Sequence, residues 1–167
     1  MTVITAEAQL TAFLREHGIP YTAAQHPPFF TCSEADAYDL PLAGLQTKNL
    51  FLRDEQQRYY LALTACEKRL NFKRLSRSLG VDKVRFGSED DLRDLLGLTP
   101  GAVTVLALVN DPGGRVRLLV DAQYWPSPAY LCHPLVNTAT LALDHAALLR
   151  FLEVTGHAPQ VVEMGIS

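Results

Sequence analysis

Residues 45–53 and 58–65 both read as strands, and only the polar turn Asp54-Glu55-Gln56-Gln57 separates them. So short a connection leaves the second run little choice but to fold back beside the first. Side chains alternate between the faces of a strand, which groups Gln46, Lys48, Leu50 and Leu52 on one side and Leu45, Thr47, Asn49 and Phe51 on the other. Lys48 therefore sits beside two leucines. Its ammonium either snorkels out at a strand end or is held in a pocket that needs positive charge.

The rest of the chain supplies helices and further short strands. Residues 5–17 predict a helix with Leu10, Phe13 and Leu14 on one stripe, stopped by Gly18 and Pro20. His17 in its last turn suits the helix dipole. Residues 21–25 are short and extended, and His26-Pro27-Pro28 forces a non-helical connection. Ser33 is expected to cap a short helix reaching about Leu40. Asn71 caps a helix with Phe72, Leu75 and Leu79 inward, closed by Gly80. Residues 84–86 form a short extended piece, and Ser88 opens an acidic-headed helix ended by Gly97.

Residues 103–109 are almost continuously apolar, which predicts a strand covered on both faces. The turn Asn110-Asp111-Pro112-Gly113-Gly114 should return residues 116–120 against it as a hairpin. Short strands are expected near 130–133, 139–143 and 160–162. Asp144 caps a last helix with Leu148, Leu149, Phe151 and Leu152 inward, ended by Gly156. The pattern predicts one α+β domain over residues 1–167, a curved, mixed or mostly antiparallel and partly barrel-like sheet with packed helices.

Fifteen basic residues against eighteen acidic ones give a net charge of −3, so any nucleic-acid partner must be held by a local patch. Cys32, Cys66 and Cys132 are far apart, with no C-x-x-C pair, and are expected to be plain thiols. The five histidines do not group like metal ligands; His26 and His157 read as loop residues and His145 as a first-turn helix residue. There is no apolar stretch of ~18 residues to span a bilayer and no signal-peptide pattern, so the cytoplasm is the expected compartment. No nucleophile elbow, zinc-protease helix, Walker loop or dinucleotide-binding glycine pattern occurs.

Three features stand apart. Lys68, Arg69, Lys73, Arg74, Arg77, Lys83 and Arg85 fall within eighteen positions, opposed only by Asp82. They form either a solvated helix face or a phosphate-binding surface. Leu98-Thr99-Pro100-Gly101-Ala102-Val103-Thr104 is a turn whose glycine lets backbone amides approach a ligand. Cys132-His133-Pro134-Leu135-Val136-Asn137-Thr138-Ala139-Thr140 gathers an imidazole and several small hydrogen-bonding groups, which either line a site or satisfy one another within the loop.

Lys48-Asn49-Leu50-Phe51-Leu52-Arg53-Asp54, Pro100-Gly101-Ala102-Val103-Thr104 and His133-Pro134-Leu135-Val136-Asn137-Thr138-Ala139-Thr140 follow one another over about ninety residues. Together they resemble the YbaK-type aminoacyl-tRNA deacylase family, which includes the editing insertion of bacterial prolyl-tRNA synthetase. The match is nearest to free-standing prolyl-tRNA editing proteins that clear alanine from tRNA(Pro), and it covers nearly the whole chain. The resemblance implies the fold of the prolyl-tRNA synthetase-associated domain. It makes Lys48 the essential lysine and Asn49 its neighbour at the tRNA end. Gly101 and Ala102 would form the loop whose amides face the scissile carbonyl, and His133, Asn137 and Thr138 would line the aminoacyl pocket. The family's glycine loop usually closes with a proline four residues on, where this chain has Val105.

The resemblance further implies that no metal or organic cofactor is used, that the partner is mischarged tRNA(Pro), and that the substrate's 2′-hydroxyl helps direct the water. Lys73, Arg74 and Arg77 would grip the acceptor stem of the tRNA. A monomer that does not associate with membranes is expected. Two other readings stay open: a non-catalytic nucleic-acid-binding module using residues 68–85, and a sensor of a small amino acid or nucleotide.

Overall fold

A computed structural model describes residues 3–165. The central hairpin forms as the short turn dictates: β2 (Leu45–Asp54) and β3 (Tyr59–Ala65) pair antiparallel, with Lys48 opposite Thr64 and Leu52 opposite Tyr60. Asp54 pins the turn. Its Oδ1 accepts the amides of Gln56 at 2.9 Å and Arg58 at 3.0 Å, and its Oδ2 accepts Tyr60 Oη at 2.7 Å and Arg58 Nε at 2.6 Å. Burial alone would raise this carboxyl's pKa, but the hydrogen bonds from Tyr60, Arg58 and Gln56 outweigh it and bring it down to about 2.

Around the hairpin, α1 (Glu7–Glu16) leads to β1 (Thr22–Gln25) and α2 (Cys32–Ala37). After β3 come α3 (Phe72–Leu79), β4 (Val84–Phe86), α4 (Glu89–Leu96) and a 3₁₀ segment, Val105–Asn110. β5 (Val116–Asp121), β6 (Ala129–Cys132), β7 (Ala139–Asp144), α5 (His145–Thr155) and β8 (Gln160–Val162) complete the chain. The sheet runs β1-β7-β6-β2-β3-β5-β8, with β4 also paired to β2. β2 with β6, β3 with β5, and β5 with β8 are parallel, while the other pairs are antiparallel. The sheet is therefore mixed, and it does not close into a barrel because β1 and β8 remain its ends.

The alternation along β2 is as expected. Phe51 enters the larger core with Leu61, Leu63, Leu118 and the 3₁₀ residues, whereas Leu50 and Leu52 face the smaller core beneath α3. Caps are satisfied at three helices: Asn71 accepts from the amide of Arg74, Ser88 from Asp91 and Asp144 from Ala147. Gly80, Gly97 and Gly156 close those helices in the left-handed conformation that costs glycine least.

Several expectations are corrected. The apolar run after Val103 is not a strand: Val105–Asn110 is a 3₁₀ segment capped by Thr104, with Val105, Leu106, Ala107 and Leu108 buried, and β5 pairs in parallel with β3 and β8 instead of forming a hairpin with it. A continuous apolar run reports burial and leaves the choice of backbone open. Thr31, not Ser33, caps α2. In α5 the inward residues are Ala147, Leu148, Phe151 and Leu152, with Leu149 turned outward. Cys32 and Cys66 form a disulfide, so only Cys132 is a free thiol, and it is buried.

The feature that creates the site is an interrupted edge. β3 covers one side of β2 from Thr47 to Arg53. On the other side β6 pairs only at Leu45 and Gln46, and β4 only from Leu52 to Asp54. Gly87 extends the β4 side by donating its amide to Phe51 O at 2.9 Å, so residues 47–50 present an edge with no strand ladder between the two paired ends.

Candidate active site

A cavity of about 260 Å³ occupies the upper part of that edge, walled by Gln46, Thr47, Lys48 and Asn49 of β2, and by Gly101 and Val103. Phe29, α2 and His133 complete it. Its size suits a small group and falls short of the ~300–1,000 Å³ typical of sites that engulf a whole drug-sized ligand.

Lys48 is half-buried and is the one cationic lysine or arginine on this wall. Burial lowers its pKa from the usual lysine value, and the positive charge of Arg69 lowers it further. Among the described residues no side chain pairs with it in an ion pair or hydrogen bond, which leaves its charge for a ligand. Asn49, next along the strand, is buried, and its Oδ1 is a buried side-chain acceptor without a partner. An acceptor sealed in this way without a donor costs about 1–3 kcal/mol.

Gly101 adopts φ +97°, a left-handed conformation that a side chain would strain, although a Cβ there would meet no atom within 4 Å. Backbone conformation and not crowding requires this glycine. Ala102 does not line the cavity; its amide donates to Thr99 O at 3.4 Å and closes the turn that presents Gly101 and Val103.

His133 follows β6 and is largely buried in the wall. Its Nδ1 lies 3.2 Å from Ala139 O, the geometry of a proton donated to that carbonyl, which leaves Nε2 as the acceptor of the neutral ring. Burial pulls the His133 pKa down, the Ala139 bond opposes this, and His26 adds to the lowering. Asn137 and Thr138 do not line the cavity. They hold its wall: Asn137 Nδ2 donates to Phe29 O at 3.3 Å and Asn137 O accepts the Phe29 amide, while Thr138 O accepts the His26 amide.

The sequence marks His26 only as a loop residue, yet in the structure it organises this wall. It is buried, stacks on Phe29 with ring centroids 3.9 Å apart, and lies 2.8 Å from Thr140 Oγ1 and 2.7 Å from Pro27 O. The aromatic that directly follows the His26-Pro27-Pro28 turn is the available signal. The disulfide was also missed: Cys32 and Cys66 both line the cavity and tie α2 to the end of β3.

The basic stretch divides. Lys68 turns inward, its Nζ 2.7 Å from Asp121 Oδ2 and 3.0 Å from Gln123 Oε1, and it leaves the cationic surface. Lys73, Arg77, Lys83 and Arg85 are exposed along a groove of about 700 Å³ between α3 and β4. Arg74 lies outside that groove, on the side of α3 facing Gly165. Among the described residues no three His, Cys, Asp or Glu side chains group to hold a metal ion, and no helix is long and apolar enough to cross a membrane.

This arrangement has relatives. A zebrafish (Danio rerio) prolyl-tRNA synthetase associated domain-containing protein 1 is 36% identical over 156 residues, covering 92% of this chain and 85% of the fish protein. The prolyl-tRNA editing protein ProX of Acetoanaerobium sticklandii is 31% identical over 160 residues, covering 95% and 98%. The fold matches a crystal structure described as a candidate trans-editing enzyme for prolyl tRNA synthetase, with TM-score 0.67 and 18% identity over 97% of this chain and 99% of that one. The family model for the aminoacyl-tRNA editing domain matches residues 26–151, from the histidine behind the cavity to a point inside α5. Every cavity-lining residue falls within that span, and the chain belongs to the aminoacyl-tRNA editing family, the YbaK-type fold.

Proposed function

We propose that this protein is a trans-editing hydrolase that deacylates mischarged tRNA, with Ala-tRNA(Pro) as its main substrate. The observation that carries the reading is the unpaired Lys48 ammonium in a small cavity walled by Gly101 and His133. The prolyl-tRNA editing name of the Acetoanaerobium sticklandii relative supports the choice of tRNA.

The reaction adds water to the ester carbonyl, breaks the bond to the ribose oxygen, and releases alanine and a tRNA with both terminal hydroxyls free. An aminoacyl ester is already activated, so positioning and oxyanion stabilisation carry most of the rate. Lys48 holds the terminal ribose or its phosphate. Amides of the turn at Gly101 face the developing oxyanion, and the substrate's own 2′-hydroxyl directs the water. Asn49, next to Lys48 on β2, bounds the site at the tRNA end. His133 bounds the aminoacyl side, while Asn137, Thr138 and Ala102 act as positioning residues that fix the walls. A hydrophobic wall discriminates by about 1–3 kcal/mol per methylene, so bulky aminoacyl groups are rejected more decisively than near neighbours of alanine.

The test is alanine release from Ala-tRNA(Pro) by purified protein without added metal, beside cysteinyl-, seryl- and prolyl-tRNA. Ala-tRNA(Pro) should head the panel. A charge-assisted hydrogen bond is worth about 1.5–3 kcal/mol, so Lys48→Ala should slow deacylation roughly 10- to 150-fold with the thermal unfolding curve unchanged. Wild-type turnover in Lys48→Ala refutes the mechanism, and equal rates across the panel remove the specificity. Affinity for tRNA without any deacylation would favour the non-catalytic binding module, a reading that the exposed basic groove keeps in play.

A further inference from the structure

The open edge of β2 does not end at the cavity. A second hollow of about 290 Å³ shares Asn49, Gly101 and Val103 with it and continues past Leu50, Phe51 and Gly87 to Phe86. Phe86 in turn lines the basic groove with Lys73, Arg77, Lys83 and Arg85. Three adjoining hollows thus form one track from Lys48 to the α3–β4 face. Its far end carries four exposed cations against one acid, Asp82.

Phe86 is the unusual element. It is 60% exposed although it lies in a strand paired to the centre of the sheet, and Phe72 supports it edge-on with ring centroids 5.3 Å apart. A ring exposed beside four cations has the composition of a single-stranded nucleic-acid platform, with stacking for a base and charge for the backbone. The length also fits. Lys48 and Leu52, the partner of Phe86, are four residues apart on an extended strand, about 13 Å. A stacked strand advances about 3.4 Å per nucleotide, so this interval holds about three or four nucleotides.

We propose that this track binds the unpaired 3′ end of the RNA substrate. The terminal nucleotide enters the Lys48 cavity, a base a few nucleotides back stacks on Phe86, and Lys83 and Arg85 join Lys73 and Arg77 on the phosphates beyond. The inference deepens the tRNA-editing reading and rests on it for the identity of the strand. It assigns Phe86, Lys83 and Arg85, which lie outside the cavity, to substrate affinity and not to chemistry.

The experiment compares wild type, Phe86→Ala, Phe86→Leu and Lys83→Ala/Arg85→Ala in two assays. Fluorescence anisotropy measures binding of uncharged tRNA and of the same RNA lacking its unpaired 3′ nucleotides. Kinetics compare Ala-tRNA(Pro) with alanyl-adenosine, which is too short to reach Phe86. Loss of the ring should weaken tRNA binding and kcat/KM on Ala-tRNA(Pro) roughly 5- to 100-fold, equally in the Ala and Leu variants, because stacking and not apolar volume is lost. The double variant should reduce the salt slope of log K by about 1.4–1.8, the loss of two phosphate contacts. All variants should hydrolyse alanyl-adenosine at the wild-type rate. Wild-type RNA affinity in the Phe86 variants, or equal affinity for tRNA with and without its 3′ end, overturns the proposal. If wild type hydrolyses neither substrate, the editing reading fails by itself and the anisotropy results still decide the track.

Discussion

Replacing Lys68 with methionine separates a buried structural charge from the cationic surface that its sequence neighbours form. Lys68 and Asp121 have side chains only 5% and 2% exposed, and Nζ lies 2.7 Å from Oδ2. The same Oδ2 accepts the Thr64 hydroxyl at 2.6 Å, Oδ1 accepts the Gln123 amide at 3.0 Å, and the ammonium sits 5.7 Å from the Tyr124 ring centroid. Removing one partner of a buried pair usually costs about 3–5 kcal/mol because the other charge is left uncompensated. Asp121 would keep two hydrogen bonds, which argues for the lower end, about 3 kcal/mol. In a domain of this size each kcal/mol is worth about 2–4 °C, so Tm should fall by roughly 6–12 °C.

The assay is paired: thermal unfolding, and tRNA binding as a function of salt. Lys68→Met should lose stability and leave the salt slope unchanged, and adding Asp121→Asn should recover at least half the loss by removing the stranded charge. Lys83→Met should behave oppositely, with stability within about 0.5 kcal/mol and a slope smaller by about 0.7–0.9. If Lys68→Met melts within 2 °C of wild type and also flattens the salt dependence, the ion pair is not formed in solution and the division of the basic stretch is wrong.

Two further outcomes follow from the cavity wall. His133 has a folded-state pKa below that of the unfolded chain, so its contribution to stability is complete above about pH 6.5 and is lost as pH falls from there through the folded value. Thermal unfolding from pH 7 to 5 should therefore fall less steeply in His133→Asn than in wild type; parallel curves would mean the ring is not held neutral. The Cys32–Cys66 disulfide encloses a sequence separation of 34, a loop whose closure is worth about 4 kcal/mol in the chain-entropy description. Alkylation of denatured, unreduced protein should label one thiol, Cys132, and reduction should lower Tm. Three labelled thiols before reduction would refute the pairing.

What the sequence made readable was local. The turn at Asp54 fixed the hairpin, and Asn71, Ser88 and Asp144 announced helix starts because a capping side chain reaches an amide only two or three residues away. Lys48 stood out because alternation set it beside leucines. Contacts between distant residues were not readable. Nothing near Lys68 points to Asp121, fifty-three residues on, and nothing near Cys32 points to Cys66. The parallel partners of β3 and β5 are joined through two helices, a strand and a 3₁₀ segment, so no turn signal marks the pairing. The 3₁₀ geometry of Val105–Asn110 was hidden for another reason: burial of Val105, Leu106, Ala107 and Leu108 in succession leaves no polar position among them from which a period could be read.

The interrupted edge of β2 brings a structural safeguard and the proposed ligand site onto one short segment. An uncovered strand edge invites pairing with another chain, and lysines and covering loops are common remedies. Here Lys48 lies on the open stretch and the turn at Gly101 and Val103 stands over it. Guarding an edge explains a lysine at that position, but it does not explain the neighbouring residue. Asn49 buries a side-chain acceptor without a partner, a cost that an apolar residue would avoid. Edge protection gains nothing from such a buried polar group, and a polar residue lining the cavity next to Lys48 in sequence agrees better with the proposed binding role. On the proposed editing reading the phosphate of a terminal nucleotide pairs with Lys48, a contact that a merely protective lysine would not make.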